Sequence, residues 1–330
     1  MTDQCVLVTG GAGYIGSHTC KALAAAGYTP VTFDNLSYGH SHAVKWGPLE
    51  QGDLLDQTRI ADVLVHYKPV AVIHFAAFAL VGESVAHPGM YYANNVGGTL
   101  NLLEAMTATG LDKIVFSSTC ATYGIPDSVP IDEDMVQNPV NPYGRTKWVV
   151  EGMLREFETA HGLRHVALRY FNACGADRGG EIGEEHEPET HLIPRILMGL
   201  SETGPALTVF GQDYPTPDGT CIRDYIHVED LATAHVKALD YLLAGGQSTQ
   251  LNLGTGEGYS VMQIIHAVER VTGLKVPYSV GPRRAGDPPI LVAKTHKAKA
   301  VLGFETAQSD LDTIISTAWN FMRARADRPL

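Results

Sequence analysis

Tyr143 and Lys147 stand four residues apart in Asn141-Pro142-Tyr143-Gly144-Arg145-Thr146-Lys147, at the head of a segment with helical period. Residues i and i+4 share a helix face, so a phenol and an ammonium are set to enter one cleft. A cation beside a tyrosine favours the phenolate, and the expectation is a lowered tyrosine pKa and a base usable near neutral pH. The same pair on a solvated helix face does nothing, and most such pairs are of that kind. A hydroxyl that can work with them is Thr119, which closes the apolar run Phe116-Ser117-Ser118-Thr119. Ligands of open α/β sheets bind beyond the carboxyl ends of the strands, so Thr119 and Tyr143 can converge on one substrate. In that arrangement Thr119 donates to a developing oxyanion or relays a proton, Tyr143 takes the proton, and Lys147 tunes Tyr143. The competing reading of Thr119 is a strand-end turn hydrogen bond.

The elements that must position these groups follow from the hydrophobic pattern. Cys5–Thr9, Pro30–Phe33, Val70–Phe75, Lys113–Ser117 and His165–Tyr170 are short apolar runs, each next to a stretch of helical period. The alternation predicts an α/β fold of Rossmann type, a doubly wound parallel sheet with right-handed crossovers. After Asn172 the alternation is lost and Gly, Pro and Glu accumulate in Gly179–Pro188. The expected organisation is therefore a first domain over 1–172 carrying the Tyr/Lys pair, and a smaller mixed α/β substrate lobe over 173–330. A second glycine-rich stretch, Asn252–Gly258, reads as a strand-to-helix turn.

Gly10, Gly13 and Gly16 follow the first strand with the spacing G-x-x-G-x-x-G and open a helix. Such a loop lets the backbone approach a pyrophosphate and sets it at the helix N-terminus. The second strand ends at Asp34, where a carboxylate can bind adenosine ribose hydroxyls and would repel a 2′-phosphate. The cofactor implied is NAD, not NADP; a turn-forming role for Asp34 ahead of Asn35 is the alternative. Gly52-Asp53-Leu54 can reach the adenine, and Phe75-Ala76-Ala77 offers small residues beside a dinucleotide. Asn94 opens a further helix, where capping is its ordinary role.

Composition bounds the rest. The chain has 330 residues, 45% hydrophobic, with a formal charge of −12, which argues against nucleic acid or an anionic membrane surface as partner. Five scattered cysteines without metal-type pairing read as reduced thiols, and no basic leader or membrane-length apolar run is visible. A cytoplasmic protein is expected. Glu184-Glu185-His186-Glu187-Pro188-Glu189-Thr190-His191 gathers histidines and carboxylates, but it lacks helical H-x-x-x-H spacing and holds a proline. No metal is expected there.

With these residues in view, the chain resembles the UDP-glucose 4-epimerases, a branch of the extended short-chain dehydrogenases/reductases. The resemblance rests on an ordered series that runs nearly end to end. It comprises Thr9–Gly16 with Ser17-His18, Asp34-Asn35-Leu36, His74-Phe75-Ala76, Val81-Gly82-Glu83-Ser84, Asn94-Asn95-Val96, Ser117–Gly124 and Pro142–Lys147. It continues through Leu168-Arg169-Tyr170-Phe171-Asn172, Asp218-Gly219-Thr220, Arg223-Asp224-Tyr225-Ile226-His227, Asn252-Leu253-Gly254 and Arg283-Arg284-Ala285-Gly286-Asp287. It implies a bound NAD and a redox-neutral reaction. Tyr143 takes the proton of the sugar 4-hydroxyl while hydride passes from C4 to the cofactor, and the 4-keto sugar turns over before hydride returns. The cofactor set it implies is Gly10, Gly13, Tyr14, Ile15, Gly16, Asp34, Asn35, Asp53, Leu54, Phe75, Ala76, Ala77, Asn94, Ser117, Tyr143, Lys147 and Tyr170. The UDP-sugar set is Thr119, Tyr143, Asn172, His191, Leu192, Phe210, Arg223, Tyr225, Arg284, Asp287 and Leu291. Guanidinium groups suit a diphosphate and Asp287 suits ribose hydroxyls.

Relatives with other chemistry are set aside by Cys120-Ala121 after Thr119, because nucleotide-sugar 4,6-dehydratases carry Asp-Glu there and UDP-glucuronate decarboxylases a Glu. Two positions depart from the family. Ala79 stands where well-known members carry Lys, which removes one cofactor contact. Leu291 stands where members restricted to non-acetylated sugars carry Tyr, which leaves room for UDP-N-acetylhexosamines or UDP-pentoses. A UDP-arabinose, UDP-xylose or UDP-uronate 4-epimerase, a net dehydrogenase and a non-catalytic NAD-sensing module are the alternatives. A homodimer is expected, with the helices over Tyr91–Ala108 and Tyr143–Thr159 as candidate contacts, a core role for them being the other reading.

Overall fold

The fold is described from a computed structural model covering residues 4–201, 204, 206–284 and 286–326. Its strands are β1 Gln4–Thr9, β2 Tyr28–Asp34, β3 Leu49–Gln51, β4 Ala71–His74, β5 Lys113–Thr119, β6 Arg164–Tyr170, β7 Asn172–Cys174, β8 Leu207–Phe210, β9 Ile222–Arg223, β10 Tyr225–His227, β11 Thr249–Leu253, β12 Tyr259–Ser260, β13 Tyr278–Gly281 and β14 Ile290–Leu291. Its α-helices are α1 Tyr14–Ala25, α2 Gln57–Tyr67, α3 Val81–Ala86, α4 Pro88–Tyr91, α5 Gly98–Thr109, α6 Pro142–His161, α7 Leu192–Met198, α8 Val228–Leu243, α9 Val261–Thr272, α10 His296–Leu302 and α11 Leu311–Ala326.

Seven strands form one parallel sheet in the order β11-β6-β5-β4-β1-β2-β3. Because successive side chains of a strand point to opposite faces, a strand covered on both sides must be apolar throughout. In β1, Val6 and Val8 pack with Leu23 of α1 and Leu239 of α8, while Leu7 faces Ile60 and Leu64 of α2 and Leu102 of α5. The chain order turns back between β1 and β4, and the crevice at their carboxyl ends is where such sheets bind ligands. A second core joins α7, β8, α9 and α11 through Ile196, Val209, Ile264 and Ile314.

Three features lay outside the hydrophobic pattern. β3 is too short to show alternation. α8 and β11 come from beyond residue 172, yet α8 packs on α1 and β11 pairs with β6, so the chain returns to the large sheet after entering the smaller lobe. Asn94 does not open a helix: it sits in a π-helical turn, Tyr92–Gly97, that joins α4 to α5 without a break. π turns widen a helix locally and recur at functional sites. Among the described residues no helix is long and apolar enough to cross a membrane.

Candidate active site

The glycine loop is fixed by close approach. Gly10 has φ +73°, and a Cβ placed on it would lie 2.6 Å from the backbone nitrogen of Ala76; one on Gly16 would lie 2.1 Å from the carbonyl oxygen of Gly10. Neither obstacle is a movable side chain, so the turn from β1 into α1 admits only glycine at both points. The Tyr14 hydroxyl donates to the Gly175 carbonyl at 2.6 Å, tying the start of α1 to the segment after β7. Ile15 packs into the core beneath. Asp34 ends β2 almost fully buried and accepts from the amides of Ala12 at 3.0 Å and Leu36 at 2.9 Å. Burial raises its carboxyl above the usual range, and those two amides pull the other way. Asp53 accepts from Asn35 at 2.8 Å and from the Leu55 amide at 2.8 Å, which joins the ends of β2 and β3. Leu54 and Phe75 turn their side chains into the two cores, so the cleft is offered their backbone, with Phe75 and Ala76 both donating to the Thr9 carbonyl. Ala79 is exposed. Asn94 donates to Asn95 at 3.0 Å, and the buried Asn95 grips Phe78 and Thr146, so the π turn anchors α6. A cradle that a single Cβ would fill, with a buried carboxylate at the next strand end, fits a dinucleotide.

Tyr143 reaches Thr119 because α6 begins against the turn after β5. Asn141 caps α6 by accepting from Gly144 at 2.8 Å, Pro142 occupies the first turn, and a Cβ on Gly144 would stand 2.5 Å from the Ala121 carbonyl oxygen. That glycine was the unread signal for the close approach. The Thr119 side chain adjoins the Tyr143 phenol and accepts from the Ala121 amide at 3.1 Å. Lys147, one turn on and 3% exposed, donates to the Ser117 carbonyl at 2.8 Å and lies 4.9 Å from the Phe116 ring centre. Ser117 in turn bonds Tyr170 on β6.

The electrostatics correct one expectation. Burial pushes the Tyr143 phenol up to about 12, with the Thr119 hydrogen bond lowering it only in part. Burial alone brings the Lys147 ammonium down to about 7. Desolvation disfavours both charged forms and here outweighs the pull of cation on phenol.

Beneath this group lies a buried ion pair that sequence reading did not single out. Glu151 of α6 and Arg169 of β6 make two bonds, Nη2 to Oε2 at 2.6 Å and Nε to Oε1 at 2.9 Å. Ser118 donates to Glu151 at 2.5 Å and Gln137 at 3.0 Å, while Arg169 reaches Tyr123 at 2.9 Å and the Glu133 carbonyl at 3.0 Å.

Asn172 and Tyr225 are register partners across β7 and β10, with the Asn172 side chain near the Tyr225 phenol. Arg223 forms an ion pair with Asp287. Leu291 is the register partner of Arg223 and packs on the cluster of Tyr123, Ile131, Phe171 and Ala293, against which Cys120 at the end of β5 also packs. Asp224, unassigned before, is fully buried and holds the amides of Thr255, Gly256 and Ala293, which sets the β9/β14 edge. Phe210 lies under the Arg284 guanidinium at 4.3 Å from its ring centre, at the exposed rim. Leu192 turns into the lobe core.

His191 precedes α7 and belongs to a cluster that its spacing did not announce. Glu184, His186, Glu189 and His191 bring one donor atom each within 4.8 Å of one another. Burial works against charge on the imidazoles, but the two carboxylates outweigh it and lift His186 to about 9 and His191 to about 10.

A parallel sheet with a glycine cradle, an acid at the second strand end and a Thr/Tyr/Lys group beyond the fifth strand define a nucleotide-cofactor enzyme of the short-chain type. The chain belongs to the NAD dependent epimerase/dehydratase family, which residues 6–254 match. It is 56% identical over 327 residues to the UDP-glucose 4-epimerase of Rhizobium meliloti (strain 1021), covering 98% of this chain and 99% of that protein. The structure is similar to that of the UDP-glucose 4-epimerase of Brucella ovis in complex with NAD, with TM-score 0.94, 57% identity, and 96% and 97% of the two chains covered. It is also similar to the Stenotrophomonas maltophila UDP-glucose 4-epimerase with bound NAD and formylated UDP-arabinopyranose, with TM-score 0.95, 40% identity, and 98% and 99% covered.

Proposed function

We propose that this chain is an NAD-dependent UDP-glucose 4-epimerase, interconverting UDP-glucose and UDP-galactose through a 4-keto sugar. The observation that carries it is the juxtaposition of Thr119 with Tyr143, with Lys147 one turn on, at the carboxyl edge of a sheet whose glycine cradle fits the cofactor. When bound, NAD accepts hydride from sugar C4 and returns it to the opposite face, so no net oxidation occurs. Tyr143 removes the proton of the 4-hydroxyl and gives it back. Thr119 holds that hydroxyl in line, and Lys147 supplies positive charge beside the phenol. Positive charge works against the burial that otherwise keeps Tyr143 protonated.

In this reading the glycine loop, Asp34, Asn35, Asp53 and the strand ends at Phe75–Ala77 and Ser117 hold the dinucleotide, with Asn94 and Tyr170 at its border. Asn172, Tyr225, His191, Leu192, Phe210, Arg223, Arg284 and Asp287 hold the uridine diphosphate from the smaller lobe. The division of labour is thus cofactor on the large sheet and sugar nucleotide on residues from 172 onward. The location of Leu291 on the same small cluster as Cys120 supports tolerance of a substituent at the sugar 2-position. A homodimer is supported by Met90, Tyr92, Leu100 and Trp148, which stay exposed on the α4–α5 run and on α6. The free thiols of Cys20, Cys120, Cys174 and Cys221 support a cytoplasmic setting.

Purified protein given UDP-galactose without added NAD tests the assignment. UDP-glucose formation supports it, NADH accumulation indicates a net dehydrogenase, and the absence of any conversion indicates a cofactor-sensing module.

A further inference from the structure

We propose that Glu184, His186, Glu189 and His191 form a structural site for a divalent cation, zinc by preference, that pins the 184–191 loop between the cofactor cradle and α7. The four donors converge on one point instead of pairing off. Nδ1 of His191 lies 2.8 Å from Glu184 Oε1 and 2.9 Å from Glu189 Oε1; Nδ1 of His186 lies 3.3 Å from Glu184 Oε1 and 3.5 Å from Glu189 Oε2. Bonds of 2.0–2.2 Å in a tetrahedron put neighbouring donors roughly 3.3 Å apart, which is the scale of these His–Glu separations, Glu184 meeting both rings with one oxygen and Glu189 with one oxygen for each.

Hydrogen bonding explains the arrangement less well. A single Nδ1–H on each ring would have to serve two carboxylates at once. Nδ1 of His186 is shut off from solvent and makes no hydrogen bond, although it faces both acids. Both glutamate side chains are only 6% exposed. A dication offsets two such carboxylates with both imidazoles neutral, the form in which histidine ligates. Two imidazoles and two carboxylates are the donor set of zinc, and the closed set of four protein ligands is that of a structural and not a catalytic site. An outer layer is already present. Glu189 Oε1 also accepts from the amides of Thr190 and His191 at 2.7 Å each, and the Tyr14 ring meets that of His186 edge-on at 6.3 Å. Through Tyr14 the loop touches the glycine cradle, and through His191 it leads into Leu192 of α7. The ion takes no part in proton or hydride transfer.

The test uses the full-length protein with its cofactor, treated with a chelator, desalted and titrated with zinc chloride by calorimetry. The expected result is one equivalent bound, with the dissociation constant raised about 100-fold or more in His186→Ala and in Glu189→Gln. Cobalt(II) added to the unaltered protein should give the visible absorption of a tetrahedral site, a readout that needs no variant to fold. His42→Ala is the control, because His40, His42 and Glu185 form a second, separate cluster. Absence of saturable zinc binding overturns the proposal. So does binding that survives in both variants, or binding lost in His42→Ala instead.

Discussion

Replacing Arg169 with methionine removes one half of the buried pair under the catalytic strand. Glu151 is 1% exposed and takes two of its four hydrogen bonds from Arg169; the remaining donors, Ser118 and Gln137, are neutral. The variant also strips the Tyr123 hydroxyl and the Glu133 carbonyl of a partner. An uncompensated buried charge of this kind costs about 3–5 kcal/mol. Taking about 2.1 cal/mol/K per residue for the unfolding entropy, a chain of this length has roughly 0.7 kcal/mol/K, so Tm should fall by about 4–7 °C. The decisive comparison is the double variant Arg169→Met with Glu151→Leu. With both charges gone no buried charge is left unpaired, and the double variant should be more stable than Arg169→Met alone by about 2 kcal/mol or more. Urea unfolding followed by circular dichroism measures the unaltered protein, Arg169→Met, Glu151→Leu and the double variant. Loss of less than about 1 kcal/mol in Arg169→Met, or single-variant losses that simply add in the double, would refute the view that this pair is held by mutual necessity.

Four further outcomes follow from the same geometry. Tyr143→Phe should cut kcat by about 10²–10⁴ while NAD stays bound, as measured by turnover of UDP-galactose and by cofactor released on denaturation; unaltered kcat would refute the proton role. Gly16→Ala places a methyl 2.1 Å from the Gly10 carbonyl oxygen, so purified protein should carry little or no NAD; a full complement would show that the cradle yields. Leu291→Tyr should suppress turnover of UDP-N-acetylglucosamine by about tenfold or more and change kcat/KM for UDP-galactose by less than about threefold, with equal losses on both sugars counting against the reading. The fourth concerns pH. Burial holds His18, His165 and His235 at about 4 and His74 at about 3, against 6.5 in an unfolded chain. Below 6.5 the unfolded state binds protons that the folded state refuses, so stability is complete above that pH and declines as pH falls toward 4. The slope for four such groups is roughly 5 kcal/mol per pH unit, and a urea midpoint flat between pH 6.5 and 5 would contradict it.

Local pattern made the sheet legible and long-range pairing hid the rest. The apolar runs located β1, β2, β4, β5 and β6 to within about two residues because strands buried on both faces cannot afford polar positions. The glycine spacing and Asp34 were readable for a related reason, since a backbone that approaches within van der Waals contact dictates residue type. β11, by contrast, pairs with β6 across about eighty residues, and nothing in its own five residues names that partner. The same holds for Glu151 and Arg169, which as sequence are a surface-type acid and base, and for the donors of the 184–191 loop, which converge through a turn instead of a helix period. The sign of the Tyr143 shift was also out of reach. Spacing tells that a cation is one turn away, while the extent of burial that opposes it is a property of the whole fold.

The charges proposed to meet the substrate are satisfied within the protein itself, and this shapes what binding can contribute. Arg223 is paired with Asp287, Lys147 with the Ser117 carbonyl, and Tyr143 with Thr119. A diphosphate that engages Arg223 must compete with a carboxylate already in contact, and the ribose hydroxyls assigned to Asp287 must replace a guanidinium. Each exchange therefore yields the difference between two charge-assisted interactions, not the full worth of one. Such an arrangement favours discrimination over raw affinity. A ligand that offers both the anion for Arg223 and the donors for Asp287 repairs the pair it breaks, whereas one that offers a single group leaves the other partly buried charge short of a partner. A uridine diphosphate meets both conditions with one molecule, and a simple phosphate or a free sugar meets only one.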